Sequence, residues 1–114
     1  MKIVINQCFG GFGLSSYAMI AYLKKKEIKF KIESDEHGDS SFYLDNSKEE
    51  KEYIWDLDIN RNDPALVEVV EELGEKANGK YSDLKIVEIP DNVEWHIHEY
   101  DGREHVAENH RTWD

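Results

Sequence analysis

Three glycines within four positions, Gly10, Gly11 and Gly13, sit among two phenylalanines and a serine in the run Phe9-Gly10-Gly11-Phe12-Gly13-Leu14-Ser15. Where a strand turns through glycines into a serine-capped helix, backbone N–H groups converge on one point. The helix dipole adds partial positive charge there. Such a corner holds phosphate or carboxylate without a cationic side chain, and the missing Cβ lets a ligand approach the main chain. Phe9 and Phe12 are placed to flank a flat ring. The spacing is neither that of a Walker loop nor that of a dinucleotide fingerprint, and a tight turn with two core phenylalanines would read the same way.

Further candidates lie downstream. Arg61 stands just before the helix start Asp63-Pro64, where an arginine can grip an anion facing that helix. Arg111 and Trp113 offer a charge beside a stacking plane. The ordinary alternatives are an ion pair with the acidic middle of the chain for Arg61 and a packed terminal anchor for Trp113. His96, His98 and His105 fall on one face of a hairpin, a workable zinc geometry. They are weak metal candidates, because no cysteine joins them and Tyr100 and Arg103 are not customary ligands. Cys8 has no evident base beside it, and no spacing among the many carboxylates singles out an acid–base pair. These residues point to binding without catalysis, and to no cofactor.

The elements that must position these groups follow from periodicity. Ile3-Val4-Ile5 marks a short buried strand between Met1 and Gln7. Ser15-Ser16 starts a helix running to about Lys26. From Tyr17 to Leu23 that helix is apolar all round, which calls for cover on both sides, and a second subunit would supply it; a homo-oligomer is expected. Ile28, Phe30 and Ile32 alternate with polar residues as a half-buried strand. Phe42-Tyr43-Leu44 and Tyr53-Ile54-Trp55 read as two more strands around the charged loop 45–52. Asp63 caps a second helix with Pro64 at its first position, its apolar face formed by Leu66, Val69, Val70, Leu73 and Ala77, and Asn78-Gly79 ends it. Leu84–Ile89 is a strand. Asp101-Gly102 signals a type I′ hairpin that pairs Tyr100 with Arg103, His98 with His105 and Ile97 with Val106. The expected fold is α+β: one domain over residues 1–114, two helices packed on a mainly antiparallel sheet, closing in a C-terminal hairpin.

With 114 residues, a single core is feasible, burying roughly 65% of the unfolded chain's surface. One cysteine permits no internal disulfide. No run reaches the ~18 apolar residues of a membrane span, and no signal peptide opens the chain, so a cytoplasmic protein is expected. The net charge of −11 disfavours duplex nucleic acid as a partner. That charge is uneven: ten acids stand between Glu33 and Asp58 against Lys48 and Lys51, while Lys24, Lys25, Lys26, Lys29 and Lys31 precede them.

Taken together, Cys8-Phe9-Gly10-Gly11-Phe12-Gly13-Leu14-Ser15, Arg61-Asn62-Asp63-Pro64, Val69–Gly74, Glu99–Gly102 and His110-Arg111-Thr112-Trp113 resemble motifs of a family of small bacteriophage and prophage proteins. The resemblance covers both ends and much of the middle, least so residues 34–59. It implies a phage accessory protein in the host cytoplasm. Such proteins look like sponges that sequester nucleotide immune signals: cyclic ADP-ribose isomers, ADP-ribose conjugates or cyclic oligonucleotides of Thoeris and CBASS defence. In that reading Phe9, Gly10, Gly11, Phe12, Gly13, Ser15, Arg61, Asn62, Arg111 and Trp113 bind the ligand. Two alternatives are an enzyme that cleaves such a signal, using His110 or the histidine face, and an acidic module that blocks a host protein.

Overall fold

The computed structural model describes residues 1–46 and 49–108. The chain is α+β, and all its named strands pair antiparallel. Strand β1 (Lys2–Asn6) leads through the glycine corner into helix α1 (Ser16–Lys25). A three-stranded meander follows: β2 (Phe30–Ser34), β3 (Ser40–Leu44) and β4 (Tyr53–Ile54). A short 3-10 turn (Asp56–Asp58) then leads to helix α2 (Pro64–Leu73) and a second 3-10 turn (Gly74–Ala77). Strand β5 (Leu84–Glu88) returns to pair with β1, and β6 (Trp95–Tyr100) and β7 (Arg103–Glu108) form the C-terminal hairpin.

Each helix begins where its sequence signal lies. Ser15 is extended, and its hydroxyl accepts from Ala18 N at 3.1 Å. The Asp63 carboxylate accepts from Ala65 N at 2.9 Å, with Pro64 opening the helix. The end of α2 departs from expectation. The helix stops at Gly74, whose φ of 57° only glycine adopts readily, and the chain continues as a 3-10 turn that buries Ala77. Gly79 has another use, described below.

The core joins both helices to the strands. Leu66, Val69 and Val70 of α2 meet Ala18, Met19, Tyr22 and Leu23 of α1, with Val4 and Phe42 closing the cluster. Pairing of Val4 with Ile86 and of Asn6 with Leu84 sets one face of β1–β5 toward the helices. Ile3 and Ile5 point the other way by alternation and are still only 0% and 4% exposed, so β1 is buried on both faces. Ala18, Met19, Tyr22 and Leu23 are likewise buried within the single chain, while Tyr17 of α1 is exposed. Much of the cover that this helix requires thus comes from its own chain, with Ile20 and Ala21 half-buried.

One polar junction ties the helices together. Tyr22 OH donates to the Asp63 carboxylate at 2.8 Å, and Lys26 Nζ lies 3.3 Å from the same group. Burial first, and the Asp63 contact second, push the Tyr22 phenol up to about 12. For Asp63, burial acts to raise the carboxyl pKa, but hydrogen bonds from Tyr22, Ala65 N–H and Lys26 outweigh it and hold it below the usual aspartate value.

Candidate functional site

Gly10 of the corner, and Gly79 and Gly102 packed against it, serve close crossings of the chain over itself. A Cβ on Gly10 would lie 1.7 Å from the Tyr81 carbonyl oxygen; one on Gly102 would lie 2.5 Å from Phe9 O; one on Gly79 would lie 2.9 Å from Gly13 C. Gly11 differs, with φ of 90° and open space around it, so its requirement is conformational. Gly13 O accepts from Ser82 Oγ at 2.6 Å and from Gly79 N at 3.1 Å, which fastens the corner to the segment before β5.

The converging amides already have an anion. Leu14 N donates to Asp56 Oδ2 at 3.0 Å, Ser15 N donates to Ala77 O at 2.9 Å, and Ser15 Oγ donates to Lys76 O at 2.6 Å while accepting from Ala18 N. The carboxylate placed at the start of α1 therefore comes from the 3-10 turn after β4. Nothing in the spacing of Asp56 from the corner, 42 residues away in sequence, announces this contact.

Arg61 likewise grips an anion of the chain itself. Its guanidinium donates to Glu104 Oε1 at 2.6 Å and Oε2 at 2.8 Å, and its carbon lies 3.5 Å from the centre of the Phe12 ring. An ion-pair partner was expected in the acidic middle, yet it is Glu104 of β7, whose side chain is 5% exposed. The pair also closes the free edge of β1. Val4 N donates to Arg61 O at 2.8 Å, Arg61 Nη1 donates to Val4 O at 3.3 Å, and Asn6 N donates to Glu104 Oε1 at 2.8 Å. Asn6, fully buried, completes the node: its amide donates to Cys8 O and Gly102 O, both at 2.7 Å, and its oxygen accepts from Asp83 N at 2.8 Å. Glu104 and Asn6 gave no signal in the sequence beyond a polar residue on a strand.

The remaining candidates separate. Asn62 borders a shallow cavity of 350 Å³ with Met1, Lys2, Pro64, Val67 and Glu68, none of them from the corner. Arg111, Trp113 and His110 lie outside the described residues. His98 and His105 face each other in the expected register, ring centres 4.8 Å apart, with His96 two residues along on the same face. Among the described residues no group of three or more His, Cys, Asp or Glu is arranged to hold a metal ion. Cys8 Sγ lies 3.0 Å from Tyr81 O and 3.2 Å from Asn6 Oδ1.

Phe9 parts company with Phe12. It is 62% exposed and turns toward a groove of 820 Å³ between the outer face of β1–β5 and the hairpin. Ile5, Val87 and Val106 form apolar wall, Gln7 and Tyr100 add polar tips, and Lys85, Arg103 and His105 bring basic groups. Arg103 stands 5.9 Å from the Phe9 ring centre. Among the described residues neither Lys85 nor Arg103 has a carboxylate partner. The acid that lines the groove, Glu104, is held by Arg61. In a chain of net charge −11, this is a local concentration of available cations beside exposed rings. Such a surface suits a ligand that is both anionic and planar.

No family model, curated protein or solved structure matches the chain. No helix among the described residues is long and apolar enough to cross a membrane.

Proposed function

We propose that this protein binds a nucleotide-derived anion and sequesters it without turnover, as a phage-encoded sponge for an immune signal in the host cytoplasm. The ligand site is the groove between β1–β5 and the hairpin, with Phe9 at its border. The observation that carries this reading is the meeting of Lys85 and Arg103, neither paired to a described carboxylate, with the exposed rings of Phe9 and Tyr100 in one groove. Phosphate or pyrophosphate pairs with the two cations, and a base stacks on Phe9. The glycine corner contributes by holding Phe9 in place, since its own amides already serve Asp56 and Ala77.

The test is calorimetry of the purified chain with ADP-ribose and with a cyclic dinucleotide, followed by heating the complex and identifying the released small molecule by mass spectrometry. Saturable binding and release of an unchanged ligand are expected. Release of a cleaved product transfers the reading to a signal-degrading enzyme. Absence of binding to either probe overturns it.

A further inference from the structure

The margins of two strands are finished differently. Arg61 and Glu104 close the border of β1, whereas β2 stands at the margin of its sheet and pairs with β3 alone. Asp45 N donates to Lys29 O at 3.0 Å, and Asp35 N donates to Asp39 O at 2.9 Å. Odd-numbered residues here therefore turn their main chain toward β3, and the N–H and C=O groups of Phe30, Ile32 and Ser34 turn to the open side. Residues 31–34 are all exposed, and Ile32, cross-strand neighbour of the buried Phe42, keeps 47% of its surface in water. The strand carries no proline and its register runs without a bulge, so the usual devices that blunt a sheet margin are missing from it.

The stretch Lys29-Phe30-Lys31-Ile32-Glu33-Ser34-Asp35 is complementary to itself. Let a second copy lay its β2 antiparallel on this margin, with the two-fold axis at Ile32. Ile32 then meets Ile32 and Phe30 meets Ser34, and these pairs join the outward main-chain groups in hydrogen bonds. Lys31 meets Glu33 of the second copy at both non-hydrogen-bonded positions, where side chains come closest, and Lys29 meets Asp35. Sliding by two residues one way sets Lys31 against Lys31 at the axis, and the other way Glu33 against Glu33. Charge thus selects the register centred on Ile32.

Both charged side chains are within reach. Lys31 Nζ lies 3.9 Å from Asp45 Oδ1, the limit of an ion pair, and is 59% exposed. Glu33 receives Lys51 Nζ at 2.9 Å and Tyr53 OH at 3.1 Å on the same oxygen, Oε2. These bonds orient the carboxylate and leave Oε1 without a partner among the described residues.

From this complementarity of main chain and charge we infer that β2 docks a second copy of the chain, the two meanders joining through antiparallel β2–β2 pairing into one continuous sheet. No residue of β2 lines the groove, so this interface stands or falls without the ligand site.

The test is analytical ultracentrifugation of the full chain and of two variants, each alone and then mixed. The unaltered chain is expected to sediment as a dimer. Lys31→Glu sets carboxylate against carboxylate at both pairs, and Glu33→Lys sets ammonium against ammonium. Each variant alone should weaken the dimer by about tenfold or more. Mixed in equal amounts, the two variants regain unlike charges at both pairs, and a mixed dimer about as tight as the original is expected. Ile32→Lys, which places two cations at the axis and leaves Glu33 bound to Lys51, gives a second readout if a charge exchange unfolds the strand; a folded monomer by circular dichroism and sedimentation is expected. A monomeric unaltered chain, a dimer indifferent to these variants, or charge variants that stay apart when mixed overturns the proposal.

Discussion

Arg61 and Arg103 each lie over the ring of a phenylalanine from the glycine corner, yet their surroundings are opposite. Arg61 is enclosed: Phe12 covers its face, Glu104 takes both nitrogens, and the main chain of Val4 fills what is left. Arg103 is open, with Phe9 at 5.9 Å as its ring and no carboxylate among the described residues. One arginine holds the fold; the other has no carboxylate partner among the described residues and, in the function proposed above, meets the ligand. The difference lies in the partners that tertiary packing delivers, which residue type and spacing do not encode.

The comparison can be broken most directly at Arg61. Arg61→Ala leaves Glu104 buried with no counter-charge and is expected to cost about 3–5 kcal/mol in denaturant unfolding. Arg61→Met combined with Glu104→Leu should recover part of this. The recovery stays incomplete, because Asn6 N loses its acceptor. Arg103→Ala should do the reverse. Stability moves by no more than about 0.5 kcal/mol, while the affinity for ADP-ribose measured by calorimetry falls by about 1.5–3 kcal/mol.

The glycines give a contrast of the same kind. Gly10→Ala drives a methyl into the Tyr81 backbone and is expected to destabilise by about 1–3 kcal/mol. Gly11→Ala meets open space and is expected to cost only the left-handed strain, about 1–2 kcal/mol. A larger loss at Gly11 than at Gly10, read from thermal unfolding, would contradict the close crossing described here.

The smallest expected effect is at the helix junction. Because the Asp63 carboxyl is held below its usual pKa in the folded chain, its contribution is present above the unfolded aspartate pKa and disappears as pH falls through the lowered value. Asp63→Ala should lower stability at neutral pH by about 1 kcal/mol and flatten the acid limb of the stability–pH curve. On the alkaline side the sign reverses. The raised Tyr22 pKa means stability is lost as pH climbs from tyrosine's usual 10 toward about 12, and Tyr22→Phe should abolish that slope.

Much of the scaffold was legible because its signals are local. Ser15 and Asp63 announce their helices through adjacent backbone donors, and Asp101-Gly102, with φ values of 50° and 87°, sets the hairpin register that pairs His98 with His105. The site was less legible because its decisive contacts are remote. Asp56 reaches Leu14, Glu104 reaches Arg61 and Asn6, and Tyr81 excludes any side chain at Gly10. The run of three glycines suggested room for a ligand; at Gly10 that room is taken by the Tyr81 backbone, while Gly11 faces open space. Asn78-Gly79 misled for a related reason, since the glycine is required by proximity to Gly13 and the helix had already ended at Gly74.

Sealing a sheet margin with an ion pair has a consequence for solubility. A bare β1 border would present the Val4 and Asn6 amides to any passing extended chain, the usual seed of fibrillar assembly. Here the Glu104 side chain seals the Asn6 amide and the Arg61 main chain seals the Val4 amide, both from distant segments. A cell carrying a Glu104 lesion should therefore accumulate this protein in the insoluble fraction well before its helices melt.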